Sequence, residues 1–130
     1  MRARPLSPHM GIYRLTRYSL ITSFANRITG GVLSVGLLAF IYWLTCLARG
    51  ARAYARAEQV LESDLAKLFY AALIAAFAYH LVAGIRHLVW DTGRGLEKAQ
   101  SQRSAWLVIA AALALTVGAL WWAFRAREGV

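Results

Sequence analysis

Two histidines and an arginine close a long apolar stretch of the chain. His80, Arg86 and His87 lie at the end of a run in which no residue between Lys67 and Arg86 carries a full charge. An imidazole that faces hydrocarbon needs a partner, because an unsatisfied polar group there costs several kcal/mol. An ionisable residue inside a membrane helix is therefore a functional hypothesis by default, and His80 is the first candidate for chemistry.

Helical spacing limits what His80 can hold. Neutral imidazole ligates transition metals and haem iron through one ring nitrogen. His80 and His87 are seven residues apart, which is about 10 Å along a helix axis, so they cannot clamp one iron from opposite sides. A haem at His80 would need its opposite ligand from another chain, or a five-coordinate iron. The alternative is a histidine that makes only an interhelical hydrogen bond.

Small residues share the predicted helix face of His80. Three-, four- and seven-residue spacing places three of them there: Ala76, Ala83 and Gly84. They leave room for a flat, wide ligand, but small residues also permit close helix packing, so both interpretations stay open. Nearby, His87 can pair with Asp91 one turn further on, and Arg86 is expected to extend towards the lipid headgroups.

A second candidate site lies earlier in the chain. Ser23 and Arg27 are four residues apart and share a helix face that continues to Gly30. The rigid fork of arginine donors suits carboxylates such as haem propionates. A hydroxyl and a guanidinium at the membrane edge also suit the carbonyl oxygens of a quinone. The competing interpretation of Arg27 is a positively charged anchor at the membrane surface.

Three apolar runs must position these residues. The chain has 130 residues, of which 59% are hydrophobic, and its charge-free runs cover residues 28–48, 68–85 and 104–124. Roughly 20 helical residues cross a hydrocarbon core, so we predict an all-α integral membrane protein. One domain, residues 1–130, would hold transmembrane helices at about 21–48, 65–90 and 104–124 after a tail at 1–18. Ser63 or Asp64 is expected to cap the second helix, and Ser101 or Ser104 to begin the third.

The charge pattern predicts an orientation. The net charge is +9, and nearly all basic residues flank the apolar runs, which argues against nucleic-acid binding. Nine basic residues fall on the side of the N-terminus and the second loop, and six on the other side. The positive-inside tendency therefore places the N-terminus in the cytoplasm. The first apolar run begins too late for a signal peptide, and Cys46 is the only cysteine.

Three motifs resemble those of a known family. The sequence His80-x-x-x-Gly84-Ile85-Arg86-His87-Leu88-x-Trp90-Asp91-x-Gly93 resembles the signature of the cytochrome b556 subunits of succinate dehydrogenase. The tail sequence Arg4-Pro5-Leu6-Ser7-Pro8-His9, followed by Ile12-Tyr13, is similar to the N-terminal motif of that family. The sequence Ser23-x-x-Asn26-Arg27-x-Thr29-Gly30 resembles its Ser-x-x-His-Arg-x-Thr-Gly element.

The resemblance implies the larger membrane anchor of respiratory complex II. Expected partners are a flavoprotein, an iron–sulfur protein and a second small anchor, and expected cofactors are haem b and a quinone, with ubiquinone favoured over menaquinone. By position, His80 matches the axial haem ligand, with the opposite ligand on the second anchor. Ser23 and Arg27 match the quinone site, and Arg27 and His87 match haem propionate contacts. The expected location is the bacterial inner membrane, and no complete active site is expected in this chain alone.

Two departures from the family pattern affect the site. Asn26 stands where the family usually has histidine, which removes a cationic contact for the propionates. The spacing from the tail motif to Ser23 is about one residue longer than the family pattern, so Thr22 could share or replace the hydroxyl role. Two alternative functions stay open at this point: a fumarate reductase anchor that works with menaquinol, and a structural anchor without haem.

Overall fold

Four helices account for most of the described chain. The computed structural model describes residues 17–128, and the side chains of residues 21–126. The helices are α1 (Arg17–Ala48), α2 (Ala51–Leu61), α3 (Asp64–Asp91) and α4 (Lys98–Glu128). The predicted tail, with His9 and the Arg4–His9 motif, lies outside the described residues except for its last two.

Three of these helices are long and apolar enough to cross a membrane. The candidate spans are Ile21–Ala48, Asp64–Asp91 and Lys98–Ala126. The predicted fold class, an all-α protein with three transmembrane helices, is confirmed. α4 begins at Lys98 rather than at Ser101 or Ser104. The short helix α2 forms the connection between the first two spans.

Local chemistry defines where the helices begin and end. Ser63 caps α3, because its hydroxyl accepts a hydrogen bond from the backbone N–H of Ala66 at 3.3 Å. Gly50 separates α1 from α2 with a φ of 93°, a conformation that favours glycine. Gly93 and Gly95 have φ values of 77° and 75° and allow the tight turn between α3 and α4.

The helices pack through small residues. α3 contacts both α1 and α4 along its length, whereas α1 and α4 meet over a smaller area. The most buried side chains of the described region are mostly alanines: Cys46, Ala57, Ala76, Ala78, Ala83, Ala105, Val108 and Ala112. Small side chains let membrane helices approach closely, while most large apolar side chains of the spans point outward.

Two glycines of α1 mark where α1 and α3 come closest. A Cβ on Gly36 would collide with the side chain of Leu73, and a Cβ on Gly30 would press on the imidazole of His80. The backbone of α1 therefore lies directly against side chains of α3. This close approach brings the Ser23–Gly30 segment next to the histidine-bearing face of α3.

Candidate functional site

His80 is held between two helices. It lies in α3 and faces α1, where its Nδ1 atom is 3.2 Å from the hydroxyl oxygen of Thr29. The side chain is half-buried. His80 therefore makes an interhelical hydrogen bond, as expected of a histidine that joins two helices. This bond uses only one of its two ring nitrogens.

A glycine next to Thr29 lets the imidazole lie on the α1 backbone. A Cβ at Gly30 would be 3.3 Å from Cε1 of His80, which is tighter than an ordinary van der Waals contact. A Cβ at Gly31 would have no heavy atom within 4 Å. Of the two adjacent glycines in the sequence, Gly30 is the one that admits the histidine ring.

The small residues on the His80 face have different surroundings. Ala76 and Ala83 are each only 5% exposed, so they already pack within the helical bundle. A Cβ at Gly84 would have no heavy atom within 4 Å. The alanines therefore serve helix packing, whereas Gly84 has open space beside it.

A polar cavity lies between α1 and α3, one turn from His80. Its volume is about 310 Å³. The lining residues are Thr22, Ser23, Asn26, Arg27, Tyr79, Ala83, Arg86, His87 and Trp90. Four of the residues predicted from the sequence thus meet in one place: Thr22, Ser23, Arg27 and His87. His80 does not line this cavity and lies beside it, next to Tyr79.

Two further polar groups shape the cavity wall. The hydroxyl of Tyr79 donates a hydrogen bond to the backbone carbonyl of Thr22 at 3.1 Å and so ties α3 to α1. The amide oxygen Oδ1 of Asn26 is buried, and among the described residues it has no hydrogen-bond partner. A buried acceptor without a partner is costly, so this atom is suited to accept a hydrogen bond from water or from a donor group of a ligand.

Arg86 bonds to protein, so its predicted extension to the lipid headgroups is wrong. Its Nε donates to the hydroxyl of Ser104 at 2.9 Å, and its Nη2 donates to the carbonyl of Ser101 at 2.8 Å. The guanidinium also stacks on the ring of Trp90, 4.0 Å from the centroid. The first turns of α4 supply acceptors nearby, and these hold the side chain inside the bundle.

His87 packs against an aromatic ring and does not pair with Asp91. The ring centroids of His87 and Trp90 are 5.1 Å apart with an interplanar angle of 84°. Within residues 17–128, Asp91 makes no ion pair with His87, although the four-residue spacing would permit one. Trp90 is itself fixed, because its Nε1 donates to the carbonyl of Gly95 at 3.1 Å.

The sequence predicts no individual role for Thr29 or Tyr79, and it predicts a different role for Arg86. Thr29 is only one position of a family motif, and Tyr79 has no distinctive spacing to the other polar residues. The bonds of Arg86 to α4 were missed because serine acceptors in a later helix carry no recognisable spacing. One signal was available for Thr29: it is three residues after Asn26, on the same side of α1.

The arrangement defines a class of protein before any comparison. Three helices can span a membrane, and one of them carries a histidine that bonds to a neighbouring helix beside a polar cavity at one end of the bundle. This is the arrangement of a multi-pass membrane protein with a polar cavity between two of its helices. The family model for the succinate dehydrogenase/fumarate reductase transmembrane subunit matches residues 1–119. The chain belongs to this family.

Individual relatives match over most of their length. A succinate dehydrogenase cytochrome b556 subunit of Paracoccus denitrificans is 40% identical over 114 residues, covering 88% of this chain and 87% of the relative. A cytochrome b560 subunit of Reclinomonas americana is 37% identical over 119 residues, covering 88% and 82%. A mitochondrial cytochrome b560 subunit of Sus scrofa is 35% identical over 119 residues, covering 88% and 69%. The family resemblance stated from the motifs is confirmed.

Proposed function

We propose that this chain is a membrane-anchor cytochrome b subunit of a succinate:quinone oxidoreductase. It binds haem b through His80 and forms one wall of the quinone-reduction site. The observation that carries the proposal is the position of His80, whose ring is held against α1 beside the polar cavity. The family match and the cytochrome b names of the relatives support it.

The surroundings of His80 fit an axial ligand of haem iron. Histidines that bind metals through one nitrogen commonly bond a protein acceptor through the other, and Thr29 occupies that second position here. In the described part of the chain, no group of three or more His, Cys, Asp or Glu could hold a bare metal ion. His87 is seven residues from His80 on the same helix, about 10 Å along its axis, and cannot bind the same iron. We therefore assign the second iron ligand to the second small anchor subunit. Haem b, when bound, supplies one-electron redox chemistry within the membrane.

Arg27 and His87 are the proposed contacts for the haem propionates. Both line the polar cavity. His87 is seven residues from His80 on α3, and Arg27 is two residues before Thr29, which contacts His80. Arg27 offers paired donors that match a carboxylate. Asn26, where the family usually has histidine, adds an amide donor but no positive charge. The propionates of this protein are therefore held with less positive charge than the family pattern would provide.

The same cavity provides donors for a quinone. Reduction of a quinone to a quinol takes two electrons, which the iron–sulfur subunit supplies, and two protons. The Ser23 hydroxyl and the Arg27 guanidinium can each donate to a quinone carbonyl oxygen, with Thr22 as a second candidate hydroxyl. A volume of about 310 Å³ is at the lower end of ordinary small-molecule pockets. It suits a headgroup whose remaining contacts come from partner subunits.

The proposed setting is the bacterial inner membrane with the N-terminus in the cytoplasm. The polar cavity would then face the flavoprotein and iron–sulfur subunits on the cytoplasmic side. The exposed apolar side chains of the spans would contact lipid and the second anchor. Ubiquinone is the proposed acceptor; a fumarate reductase that oxidises menaquinol would use the same scaffold in the opposite direction.

Replacement of His80 tests the proposal. In the assembled complex, His80→Ala should abolish or shift the spectrum of the reduced b-type haem, because the iron loses an axial ligand. Leu65→Ala is the matched control, since this exposed residue is on the same helix, 15 residues from His80, and is assigned no contact with the haem. The measurements are a pyridine haemochrome assay and a reduced-minus-oxidised spectrum of the purified complex.

Two results would contradict the proposal. If His80→Ala left the spectrum unchanged, His80 would not be the ligand. If the purified complex held no haem and bound no quinone analogue, the chain would be a structural anchor whose histidine only joins two helices.

A further inference from the structure

The hydroxyl of Thr29 has one proton and three neighbours that could take part in hydrogen bonds. Its oxygen is 2.8 Å from the carbonyl of Ala25, 3.1 Å from the carbonyl of Asn26 and 3.2 Å from Nδ1 of His80. Both carbonyls can only accept. The imidazole nitrogen can accept or donate, depending on the tautomer. The acceptor to which the Thr29 hydroxyl donates its proton therefore determines which ring nitrogen of His80 is protonated.

The distances favour donation to the backbone. An O–H···O bond has its usual length near 2.7–2.8 Å, which matches the contact from Thr29 to the carbonyl of Ala25 at 2.8 Å. Threonine in a helix commonly bonds back to the carbonyl four residues earlier. The hydroxyl oxygen then has a lone pair for His80, and only a protonated Nδ1 can bond to it.

The fit of the ring against α1 supports the same arrangement. Cε1 of His80 faces Gly30, since a Cβ added at Gly30 would be only 3.3 Å from it. The edge of the ring that carries Nδ1 and Cε1 therefore lies against α1. Rotation of the ring by 180° would replace Nδ1 by a carbon and leave the Thr29 oxygen without its partner. The contact with Thr29 thus selects both the orientation of the ring and its protonated nitrogen.

We propose that Thr29 is the positioning residue of His80, accepting a hydrogen bond from Nδ1–H so that Nε2 is left unprotonated for the haem iron. This inference rests on the proposed haem function. A bond from Nδ1–H to an acceptor raises the basicity of a histidine ligand. Thr29 should therefore strengthen haem binding and favour the oxidised iron.

Three variants of the assembled complex separate this role from packing. Thr29→Val removes the hydroxyl with almost no change of volume, and Thr29→Ser retains it. Thr45→Val is the matched control, because the Thr45 hydroxyl makes the same bond to the carbonyl four residues earlier, at 2.8 Å from Ile41, on the same helix. The readouts are the haem content per complex in haem-limited cells and the haem midpoint potential.

Thr29→Val should lower the haem content about tenfold, at the lower end of the effect of removing such a partner. Its midpoint potential should shift in the positive direction, because a less basic imidazole stabilises ferric iron less. Thr29→Ser should restore both values, and Thr45→Val should change neither.

Other results would overturn the inference. If Thr29→Val matched Thr45→Val in haem content and potential, Thr29 would not position the ligand. If Thr29→Ser lost haem as fully as Thr29→Val, the methyl group and packing would be responsible. Retention of haem by His80→Ala would instead refute the proposed haem function itself.

Discussion

At the scale of single residues, the polar cavity holds two neighbouring hydroxyls with different surroundings. Ser23 is exposed to the cavity, whereas Thr22 is half-buried and its backbone carbonyl accepts a bond from Tyr79. The family motif favours Ser23 as the quinone donor, and the altered spacing of the tail left Thr22 as an alternative. The exposure of Ser23 agrees with the motif.

Ser23→Ala should lower quinone reductase activity about 100- to 1,000-fold, because a donor to a developing negative charge is lost. Thr22→Val should retain most of the activity and serves as the matched control. The measurement compares succinate oxidation with a quinone acceptor and with a soluble dye that accepts electrons from the partner subunits. The assignment would be wrong if Thr22→Val impaired quinone reduction and Ser23→Ala did not, or if both variants lost activity with the dye.

At the scale of helices, Arg86 joins the end of α3 to the start of α4. Its guanidinium bonds to Ser101 and Ser104, and it stacks on Trp90, which in turn bonds to Gly95 in the connecting turn. These contacts fix the α3–α4 hairpin at the same end of the bundle as the polar cavity. The cavity wall formed by Arg86 and Trp90 therefore depends on a link between helices.

Ser104→Ala should destabilise the hairpin by about 1–3 kcal/mol, because a half-buried guanidinium loses an acceptor. Ser34→Ala is the control, since the Ser34 hydroxyl is exposed and bonds only within α1. The thermal midpoint of the detergent-solubilised complex measures the effect. Equal midpoints for the two variants would show that the Arg86 link contributes nothing to stability.

At the scale of the whole molecule, the direction of the bundle in the membrane follows from its flanks. The loop between α3 and α4 and the start of α1 lie at one end, and α2 lies at the other. In the sequence, nine of the 15 basic residues fall on the side of the N-terminus and of the α3–α4 loop, and we propose on this ground that this side faces the cytoplasm. The polar cavity is at this end too, so the proposed orientation would open it towards the cytoplasmic side.

Cysteine labelling measures this orientation. In a Cys46→Ser background, Arg94→Cys in the α3–α4 loop and Arg52→Cys in α2 place single thiols at exposed positions on opposite ends. A membrane-impermeant maleimide should label Arg52→Cys in intact spheroplasts and Arg94→Cys only in inside-out vesicles. The reverse labelling pattern would show the opposite orientation, with the polar cavity on the side away from the cytoplasm.

Much of the architecture was predictable because hydrophobic length is a strong signal. The charge-free runs predicted three spans. A serine directly before an apolar helix predicted the Ser63 cap. The beginning of α4 was not predictable to the residue, since polar residues from Lys98 to Arg103 extend the helix beyond its apolar part. Outside the hydrocarbon core of the membrane, the residue at which a helix ends depends on local hydrogen bonds. Hydropathy values contain no information about these bonds.

The sequence by itself determined that a histidine lies in a membrane helix, that it needs a partner, and that the chain belongs with the succinate dehydrogenase anchors. The tertiary structure decided that this partner is Thr29, 51 residues earlier in the chain, and that Gly30 rather than Gly31 admits the ring. In the tertiary structure, the ring of His87 also packs against Trp90, and Arg86 bonds to α4. Periodicity defines which residues share a helix face, whereas the rotation and depth of one helix against another depend on packing between distant segments.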